Sequence, residues 1–247
     1  MDLSTARAIV TGGASGLGAA TAHHFRERGA QVTVMDLDAA GAQTAERIGA
    51  HFAATDVTDE ASVTAAVTLA VERMGGIDVC VSCAGIATGE RTVGKDGPHR
   101  LDSFRRTIDI NLIGSFNVLR LAAAEMAKND RAQNGVIVNT ASVAAFEGQV
   151  GQVAYAASKA AIAGMTLPIA RDLARSGIRC CAIAPGTFGT PMLRGLPQEV
   201  QDALAAEVTF PRRLGEPEEF ARLVAFIVES DYLNGETIRL DGALRMR

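Results

Sequence analysis

Short apolar runs alternate with longer amphipathic segments from one end of the chain to the other. The short runs are rich in Val and Ile and are bounded by Gly or polar residues, which is typical of strands. They lie at 8–11, 31–35, 77–82, 136–141, 179–184 and 237–240, with a weaker strand candidate at 51–54. Helix-length segments lie between them, at 16–28, 39–48, 59–74, 101–128, 153–176 and 217–229. This alternation predicts an α/β fold with a doubly wound parallel sheet flanked by helices, whose ligands bind beyond the carboxyl ends of the strands.

Composition and charge narrow the class of protein. The chain has 247 residues, of which 48% are hydrophobic and 21% charged, and no linker, repeat or shift in composition divides it. We therefore expect a single domain over 1–247. The net charge is -4 and the basic residues are scattered rather than clustered. Nucleic acid is therefore not an expected partner, and a small molecule is.

The start of the chain and its apolar segments bear on location. The first strand-like run starts by Arg7, which leaves no room for a signal or transit peptide. No apolar stretch is expected to reach the length needed to cross a membrane. These features predict a cytoplasmic protein that has no membrane partner.

Four cysteines raise the question of a metal site or a disulfide. Residues 80–83 form a C-x-x-C, and Cys180 and Cys181 are adjacent. However, Cys80 and the adjacent pair fall inside predicted strands, where Cys serves as a small buried hydrophobe. The four His are either neighbours in a helical pattern or far apart in the sequence. We therefore expect no metal site.

A Gly-rich turn connects the first predicted strand to a helix. The segment 11–18 reads Thr-Gly-Gly-Ala-Ser-Gly-Leu-Gly. A turn of this kind presents backbone N–H groups and a helix N-terminus to a pyrophosphate, as in Rossmann-like dinucleotide sites. The residues of this turn that we expect to bind the cofactor are Gly12, Ser15, Gly16, Leu17 and Gly18.

Asp36 stands directly after the second predicted strand. A carboxylate there can accept both ribose hydroxyls of NAD and repels the 2′-phosphate of NADP. No basic residue at Ser15 or Leu37 compensates that repulsion, so NAD is the expected cofactor. The alternative role for Asp36 is to begin a turn or cap a helix. Asp56 and Val57, after the third strand candidate, are expected to meet the adenine, or else to mark a helix N-terminus.

Tyr155 and Lys159 are four residues apart in a segment patterned as a helix. Residues at this spacing share a helix face, roughly 6 Å apart along the axis, so the ammonium can approach the phenol. At about 5 Å and an effective dielectric near 20, the ammonium favours phenolate by roughly 3 kcal/mol. The pair therefore predicts a tyrosine acid or base. The alternative is a half-buried Tyr beside a solvated Lys.

With these residues the chain resembles the short-chain dehydrogenase/reductase family over essentially its whole length. The segment 11–18 matches the family's T-G-x-x-x-G-x-G turn, and the family's catalytic set is matched in order by Asn111, Ser142, Tyr155 and Lys159. The resemblance implies that Tyr155 exchanges the hydroxyl proton and Ser142 holds the carbonyl oxygen. It also implies that Lys159 lowers the phenol pKa and binds the nicotinamide ribose, while Asn111 holds a relay water. The alternatives are an ordinary helix-interior Asn and a turn Ser.

Two further segments are expected at the cofactor through the same resemblance. Residues 82–85 read Ser-Cys-Ala-Gly where the family usually has Asn-Asn-Ala-Gly, and their small residues let the backbone approach the cofactor. A Pro-Gly pair after the sixth strand turns the chain across the nicotinamide, unless it is a plain loop signal. The residues expected at the cofactor from these segments are Cys83, Ala84, Gly85, Pro185, Gly186, Phe188 and Thr190.

A narrower resemblance is carried by residues 139–152, 164–174, 184–191 and 233–245. These segments are similar to the type II 3-hydroxyacyl-CoA dehydrogenase branch. That similarity implies NAD-dependent oxidation of short or branched 3-hydroxyacyl-CoA to 3-ketoacyl-CoA by hydride transfer, in a homotetramer. Two alternatives stay open: a hydroxysteroid or other secondary-alcohol dehydrogenase, and a non-enzymatic nucleotide-binding scaffold or regulator.

The segment at 187–213 mixes apolar residues with Pro and Gly, as expected of a lid over an apolar substrate. Three arginines of this segment could bind the phosphates of coenzyme A, or could simply be solvated. They are Arg194, Arg212 and Arg213.

Overall fold

Seven parallel strands form the central sheet of the computed structural model, which describes residues 1–195 and 197–246 apart from the side chain of Met192. The strands are β1 Arg7–Thr11, β2 Gln31–Asp36, β3 His51–Ala54, β4 Val79–Ser82, β7 Gly135–Thr140, β8 Ile178–Pro185 and β9 Thr237–Leu240, with a separate antiparallel hairpin of β5 Val93–Gly94 and β6 Gly97–Pro98. The order across the sheet is β3-β2-β1-β4-β7-β8-β9. The order reverses between β1 and β4, and this confirms the predicted doubly wound α/β fold.

Helices cover both faces of the sheet. They are α1 Gly16–Glu27, α2 Ala40–Ile48, α3 Glu60–Met74, α4 Leu101–Ile108, α5 Ser115–Met126, α6 Val153–Asp172, α7 Pro191–Arg194, α8 Gln198–Ala206 and α9 Pro217–Glu229. On one face the core is built from α1 and α9, around the fully buried Phe25 and Phe220. On the other face it is built from α3, α5 and α6. The strands buried on both faces account for the uninterrupted apolar runs in the sequence.

The predicted helix at 101–128 is interrupted. A π-helical turn, Asp109–Gly114, separates α4 from α5. Such turns widen the helix by one residue and often occur at functional sites. Here the turn contains Asn111, which is fully buried. Gly114 is packed so tightly that a Cβ there would lie 2.6 Å from Val57 Cγ2.

Helix α6 differs from the expectation that no segment reaches membrane-spanning length. It is 20 residues long and apolar enough to cross a membrane by length and composition alone. The core helix of a soluble protein passes the same test. Helix α6 packs against β8 and α4, and Lys159 and Thr166 are buried on it. We therefore assign it to this α/β fold, with one side buried against the sheet and apolar residues such as Val153 and Leu167 exposed on the other.

The segment predicted as a lid contains α7 and α8, with Leu196 outside the described residues. Its two ends are held together beside the sheet. Gly189 donates to the Gly215 carbonyl at 2.8 Å, and Gly215 donates to the Thr187 carbonyl at 2.9 Å. The fold therefore anchors the base of the segment; whether it closes over a substrate stays a prediction.

Candidate active site

The Gly-rich turn lies between β1 and α1, at the carboxyl edge of the sheet. Gly12 has a φ of +64°, and a Cβ on it would lie 2.7 Å from the Ala84 backbone nitrogen. A Cβ on Gly18 would collide with the Gly12 carbonyl oxygen. Ser15 is the N-cap residue of α1, and its side chain makes no capping hydrogen bond within the described residues. The first amides of the helix are thus available to an anion, as a pyrophosphate requires.

Asp36 ends β2 at the rim of the same turn. One carboxylate oxygen accepts from the Ala14 amide at 2.9 Å, and the other accepts from the Asp38 amide at 3.0 Å. Each oxygen keeps a further lone pair for a ribose hydroxyl. Leu37, next to it, is 73% exposed and carries no charge. The rim therefore offers hydrogen-bond acceptors to a ribose, and the residue next to Asp36 supplies no positive charge for a 2′-phosphate.

A cleft of about 1020 Å³ runs from this turn across the switch point between β1 and β4. Such a volume is at the upper end of what small-molecule and cofactor sites occupy. The predicted cofactor residues that line it are Gly12, Ser15, Gly16, Leu17, Gly18, Asp36, Asp56, Val57, Cys83, Ala84, Gly85 and Thr190. The cleft thus joins segments that are far apart in the sequence, and its shape and backbone amides fit a dinucleotide.

The four predicted catalytic residues lie in one cluster beyond the end of this cleft. Lys159 is buried, and its Nζ donates to the Thr140 carbonyl at 2.7 Å and lies 5.8 Å from the centre of the Tyr155 ring. Ser142 Oγ accepts from the Ala144 amide at 3.1 Å, which leaves its hydroxyl proton free to be donated. The Ser142 hydroxyl also lies near the half-buried Tyr155 phenol, whose pKa it lowers.

Asn111 is held rigidly beside this cluster. Its Oδ1 accepts from the Ile86 amide at 2.8 Å, and its Nδ2 donates to the Ile86 carbonyl at 2.9 Å and to Ser158 Oγ at 3.1 Å. A Cβ on Gly85 would lie 3.1 Å from Asn111 Oδ1 and 3.7 Å from Lys159 Nζ. The absence of a side chain at Gly85 therefore keeps the space between the amide and the ammonium open.

The ionisation of Tyr155 and Lys159 differs from what the sequence predicts. Burial raises the pKa of the Tyr155 phenol, and the hydrogen bond from Ser142 opposes that rise. Lys159 was expected to lower this pKa; its ammonium is instead engaged by the Thr140 carbonyl at 2.7 Å, and desolvation of the phenol dominates. Burial also lowers the pKa of Lys159 to about 8, against a smaller raising effect of Cys83. Lys159 therefore loses its charge at a lower pH than an exposed lysine does.

The turn after β8 differs in detail from the predicted nicotinamide contacts. Pro185 was predicted to follow this strand but is its last residue, and Gly186 comes directly after it. The Phe188 side chain is buried and packs edge-to-face against Phe220, with ring centres 6.5 Å apart. Its ring points into the core, so only its backbone can face a nicotinamide. Thr190 lines the cleft, next to Gly16.

Two of the arginines considered for coenzyme A are already paired. Arg194 donates to the Gly189 carbonyl at 2.7 Å and to Glu216 at 2.6 Å. Arg213 forms a double hydrogen bond with Glu219, at 2.7 and 2.8 Å. These contacts argue against a role for Arg194 and Arg213 in binding phosphate. Arg212 is exposed and has no ion pair among the described residues, so its role stays a prediction.

The cleft also contains residues that sequence reasoning missed. Thr55 and Thr58 flank the predicted Asp56 and Val57, and their position after a strand end was a usable signal. The far wall is contributed by α4 and the π-turn, through side chains with no recognisable motif. These are Asp102, Arg105, Arg106, Asp109, Ile110 and Ile113.

The fold and the cluster of Asn111, Ser142, Tyr155 and Lys159 define one class of protein. Comparison with known families shows which class it is. Residues 12–244 match a family model described as enoyl-(acyl carrier protein) reductase. The match spans nearly the whole chain. The chain belongs to the short-chain dehydrogenase/reductase family.

The individual relatives have more specific names than the family model. The chain is 56% identical to a 3-hydroxyacyl-CoA dehydrogenase type-2 of Bos taurus, covering 97% of this chain and 95% of the relative. It is 53% identical to the protein of the same name of Drosophila melanogaster, covering 99% of both. The crystal structure of 3-hydroxyacyl-CoA dehydrogenase type-2 from Mycobacterium avium superposes with a TM-score of 0.92 at 43% identity, over 97% of this chain and 96% of that one.

Proposed function

We propose that the protein is an NAD-dependent dehydrogenase that oxidises the 3-hydroxyl of short or branched 3-hydroxyacyl-CoA to the 3-keto group. The observation that carries the proposal is the cluster of Ser142, Tyr155 and Lys159 beside the Gly-rich turn. A scaffold or regulator needs the turn but has no need of a buried ammonium next to a tyrosine. The relatives named 3-hydroxyacyl-CoA dehydrogenase type-2, at 53–56% identity, support the choice of substrate.

The choice of NAD rests on Asp36 and its neighbour. The two carboxylate oxygens lie at the end of β2, where the ribose of a dinucleotide on the Gly-rich turn is expected. A 2′-phosphate carries up to two negative charges and would face this carboxylate with an uncharged Leu37 beside it. We therefore propose that NADP is bound much more weakly than NAD.

The protein's own residues divide the work of proton transfer and positioning. The Gly-rich turn and Asp36 would hold NAD, which would supply the acceptor for the hydride of the carbinol carbon. The Ser142 hydroxyl donates to the substrate oxygen, and the Tyr155 phenolate accepts the hydroxyl proton. Lys159 supplies a positive charge 5.8 Å from the tyrosine ring, which favours the phenolate. Both Nδ2 protons of Asn111 are already donated, but its Oδ1 keeps a lone pair and can accept a hydrogen bond from a proton-relay water near Lys159.

The test is NADH formation at 340 nm with purified protein. The substrates are 3-hydroxybutyryl-CoA, its 2-methyl analogue, 3-hydroxybutyrate without coenzyme A, and a hydroxysteroid, each with NAD and with NADP. We expect turnover of the acyl-CoA substrates with NAD. Activity confined to the steroid or to the free hydroxy acid would contradict the substrate class. Equal use of NADP would contradict the reading of Asp36.

A matched pair of variants tests whether an arginine of the lid region binds coenzyme A. Arg212→Gln removes a cation that is exposed and has no ion pair in the described part of the chain, and Arg213→Gln removes one already engaged by Glu219. If Arg212 contacts the phosphates, only its variant raises KM for the acyl-CoA while KM for 3-hydroxybutyrate stays unchanged. Equal effects on both substrates would remove Arg212 from the proposal.

We also propose a homotetramer. The support is the exposed apolar side chains of Phe116 in α5 and of Val153 and Leu167 in α6. Exposed apolar patches of this kind mark interaction surfaces. Light scattering during size-exclusion chromatography gives the mass directly, and a monomer would contradict the proposal. The cytoplasmic location stays a prediction.

A further inference from the structure

A cluster of charged side chains lies outside the cleft and has no role in the chemistry above. Glu147 accepts two hydrogen bonds from Arg239, from Nη1 at 3.0 Å and from Nη2 at 3.2 Å. Glu147 also accepts from the Met246 amide at 3.1 Å and pairs with Arg245 at 3.4 Å. Arg239 donates in turn to Asp241 at 2.8 Å. The cluster thus joins the segment after β7 to the end of β9.

Glu147 belongs to the turn that presents Ser142. Ser142 begins a short 3-10 turn, Val143–Ala145, and accepts from the Ala144 amide at its start. The Glu147 amide closes the same turn by donating to the Val143 carbonyl at 3.0 Å. The position of the Glu147 side chain and that of the Ser142 hydroxyl are therefore coupled through one rigid turn.

Arg239 and Asp241 belong to the other side of the reaction centre. In the sheet, Pro185 is paired with Leu240, and the Gly186 amide donates to the Leu240 carbonyl at 2.9 Å. A Cβ on Gly186 would lie 3.0 Å from Asp241 Cα, so the turn after β8 rests directly on this residue. That turn is the one expected to cross the nicotinamide.

The geometry of the ion pair suits a fixed connection. The side chains of Arg239 and Glu147 are 24% and 22% exposed, and the contact is a double hydrogen bond of a planar guanidinium to a carboxylate. Arg239 also stacks on Phe146, with its Cζ 5.7 Å from the ring centre. The hydrogen bond from Arg239 keeps the pKa of Glu147 below its usual range, so the carboxylate stays ionised.

We propose that Glu147 and Arg239 are positioning residues of the dehydrogenase: their ion pair fixes the turn that carries Ser142 against the turn at Pro185 and Gly186. The pair thereby sets where the substrate oxygen lies relative to the nicotinamide. The proposal rests on the dehydrogenase function proposed above. Neither side chain touches the reacting atoms, so each acts through the backbone that it holds.

The test uses full-length protein and three variants of the pair. Glu147→Gln removes the charge but keeps the shape, Glu147→Asp keeps the charge on a shorter side chain, and Arg239→Lys keeps the charge but loses the double contact. The matched control is Glu125→Gln. Glu125 is similarly buried, at 25% exposure, and pairs with Lys128, but it lies at the far end of α5.

Turnover is measured per NADH-binding site, determined by fluorescence titration, together with the primary isotope effect for substrate deuterated at the carbinol carbon. We expect Glu147→Gln to lower kcat between about tenfold and 100-fold, because misplacement by about 1 Å costs that much. The isotope effect should rise as hydride transfer becomes limiting, while KM for NAD stays within about twofold. Glu147→Asp should recover part of kcat, and Glu125→Gln should change nothing.

Several results would overturn the positioning role. They are an unchanged kcat per NADH-binding site, an unchanged isotope effect, or a loss of activity that only follows a loss of binding sites. If Glu147→Gln does not fold, Arg239→Lys decides the question with the same readouts. The ratio of variant to wild type is measured on whichever alcohol the wild type oxidises, so a wrong substrate class leaves this test intact. A wild type inactive on every alcohol would refute both proposals.

Discussion

Replacing Lys159 by Met tests the electrostatic reasoning at the centre of the site. The Lys159 Nζ lies 5.8 Å from the centre of the Tyr155 ring. Taking that distance as the separation of charges, with an effective dielectric near 20, the ammonium stabilises the phenolate by about 3 kcal/mol. Loss of this interaction corresponds to a rate lower by about 100-fold at neutral pH. We therefore expect Lys159→Met to reduce kcat/KM by about that factor at pH 7.

The pH dependence makes the same prediction sharper. Burial lowers the pKa of Lys159 to about 8, so the wild type carries the ammonium below pH 8 and loses it as the pH rises above 8. The deficit of Lys159→Met should therefore be largest below pH 8 and narrow at higher pH. Lys159→Arg stays charged throughout, so its advantage over the Met variant should persist.

The assay is kcat/KM for 3-hydroxybutyryl-CoA between pH 6 and pH 10, which reports on groups of the free enzyme. NADH binding is titrated for each variant, so that lost cofactor affinity is separated from lost chemistry. A deficit of less than about threefold at pH 7, with NADH binding intact, would refute the electrostatic account. A deficit that is the same at every pH would refute the titration of Lys159.

Three further predictions follow from the site and the core. Tyr155→Phe should abolish turnover and leave NADH binding unchanged by fluorescence titration; residual turnover near the wild-type rate would remove the tyrosine from the mechanism. Gly12→Ala should weaken NADH binding at least about tenfold, because the added Cβ would lie 2.7 Å from the Ala84 amide nitrogen and the φ of Gly12 is unfavourable to Ala. Unchanged affinity for NADH would contradict the close approach of the two backbone segments. Asp78→Asn should lower the free energy of unfolding by roughly 3 kcal/mol in urea, because it removes the charge of a fully buried carboxylate and one of the two oxygens that accept from Arg7 at 2.7 and 2.8 Å. A change under about 1 kcal/mol would show the ion pair to be dispensable.

Much of the scaffold was predictable because its signals are local. The strand positions of Cys80, Cys180 and Cys181 followed from the apolar runs around them, and the structure confirms them. The shared helix face of Tyr155 and Lys159 followed from their spacing. These features depend on periodicities of only a few residues, so they can be recognised without knowing which distant segments pack against them.

The features that the sequence missed depend on distant partners. Arg194 looks like a solvated cation, but its carboxylate partner is Glu216, 22 residues further on. The rise in the Tyr155 pKa reflects burial, and the neighbours that enclose the pair come from other segments, as the Thr140 carbonyl on Lys159 shows. The break in the helix at Asp109–Gly114 is likewise invisible in the local pattern. Each depends on three-dimensional packing, which no local pattern records.

The two ends of the dinucleotide cleft differ in the freedom they give to protein engineering. At the Gly-rich turn, side chains are excluded by backbone atoms that cannot move aside, so Gly12 and Gly18 are closed to redesign. At the rim, Leu37 is 73% exposed and Asp36 is held by two amides rather than by packing. Coenzyme preference can therefore be changed at Leu37 without touching the turn or the catalytic cluster, whereas a change at Asp36 also removes the acceptor for the Ala14 amide of the turn. The fold separates the choice of electron carrier from the chemistry that uses it.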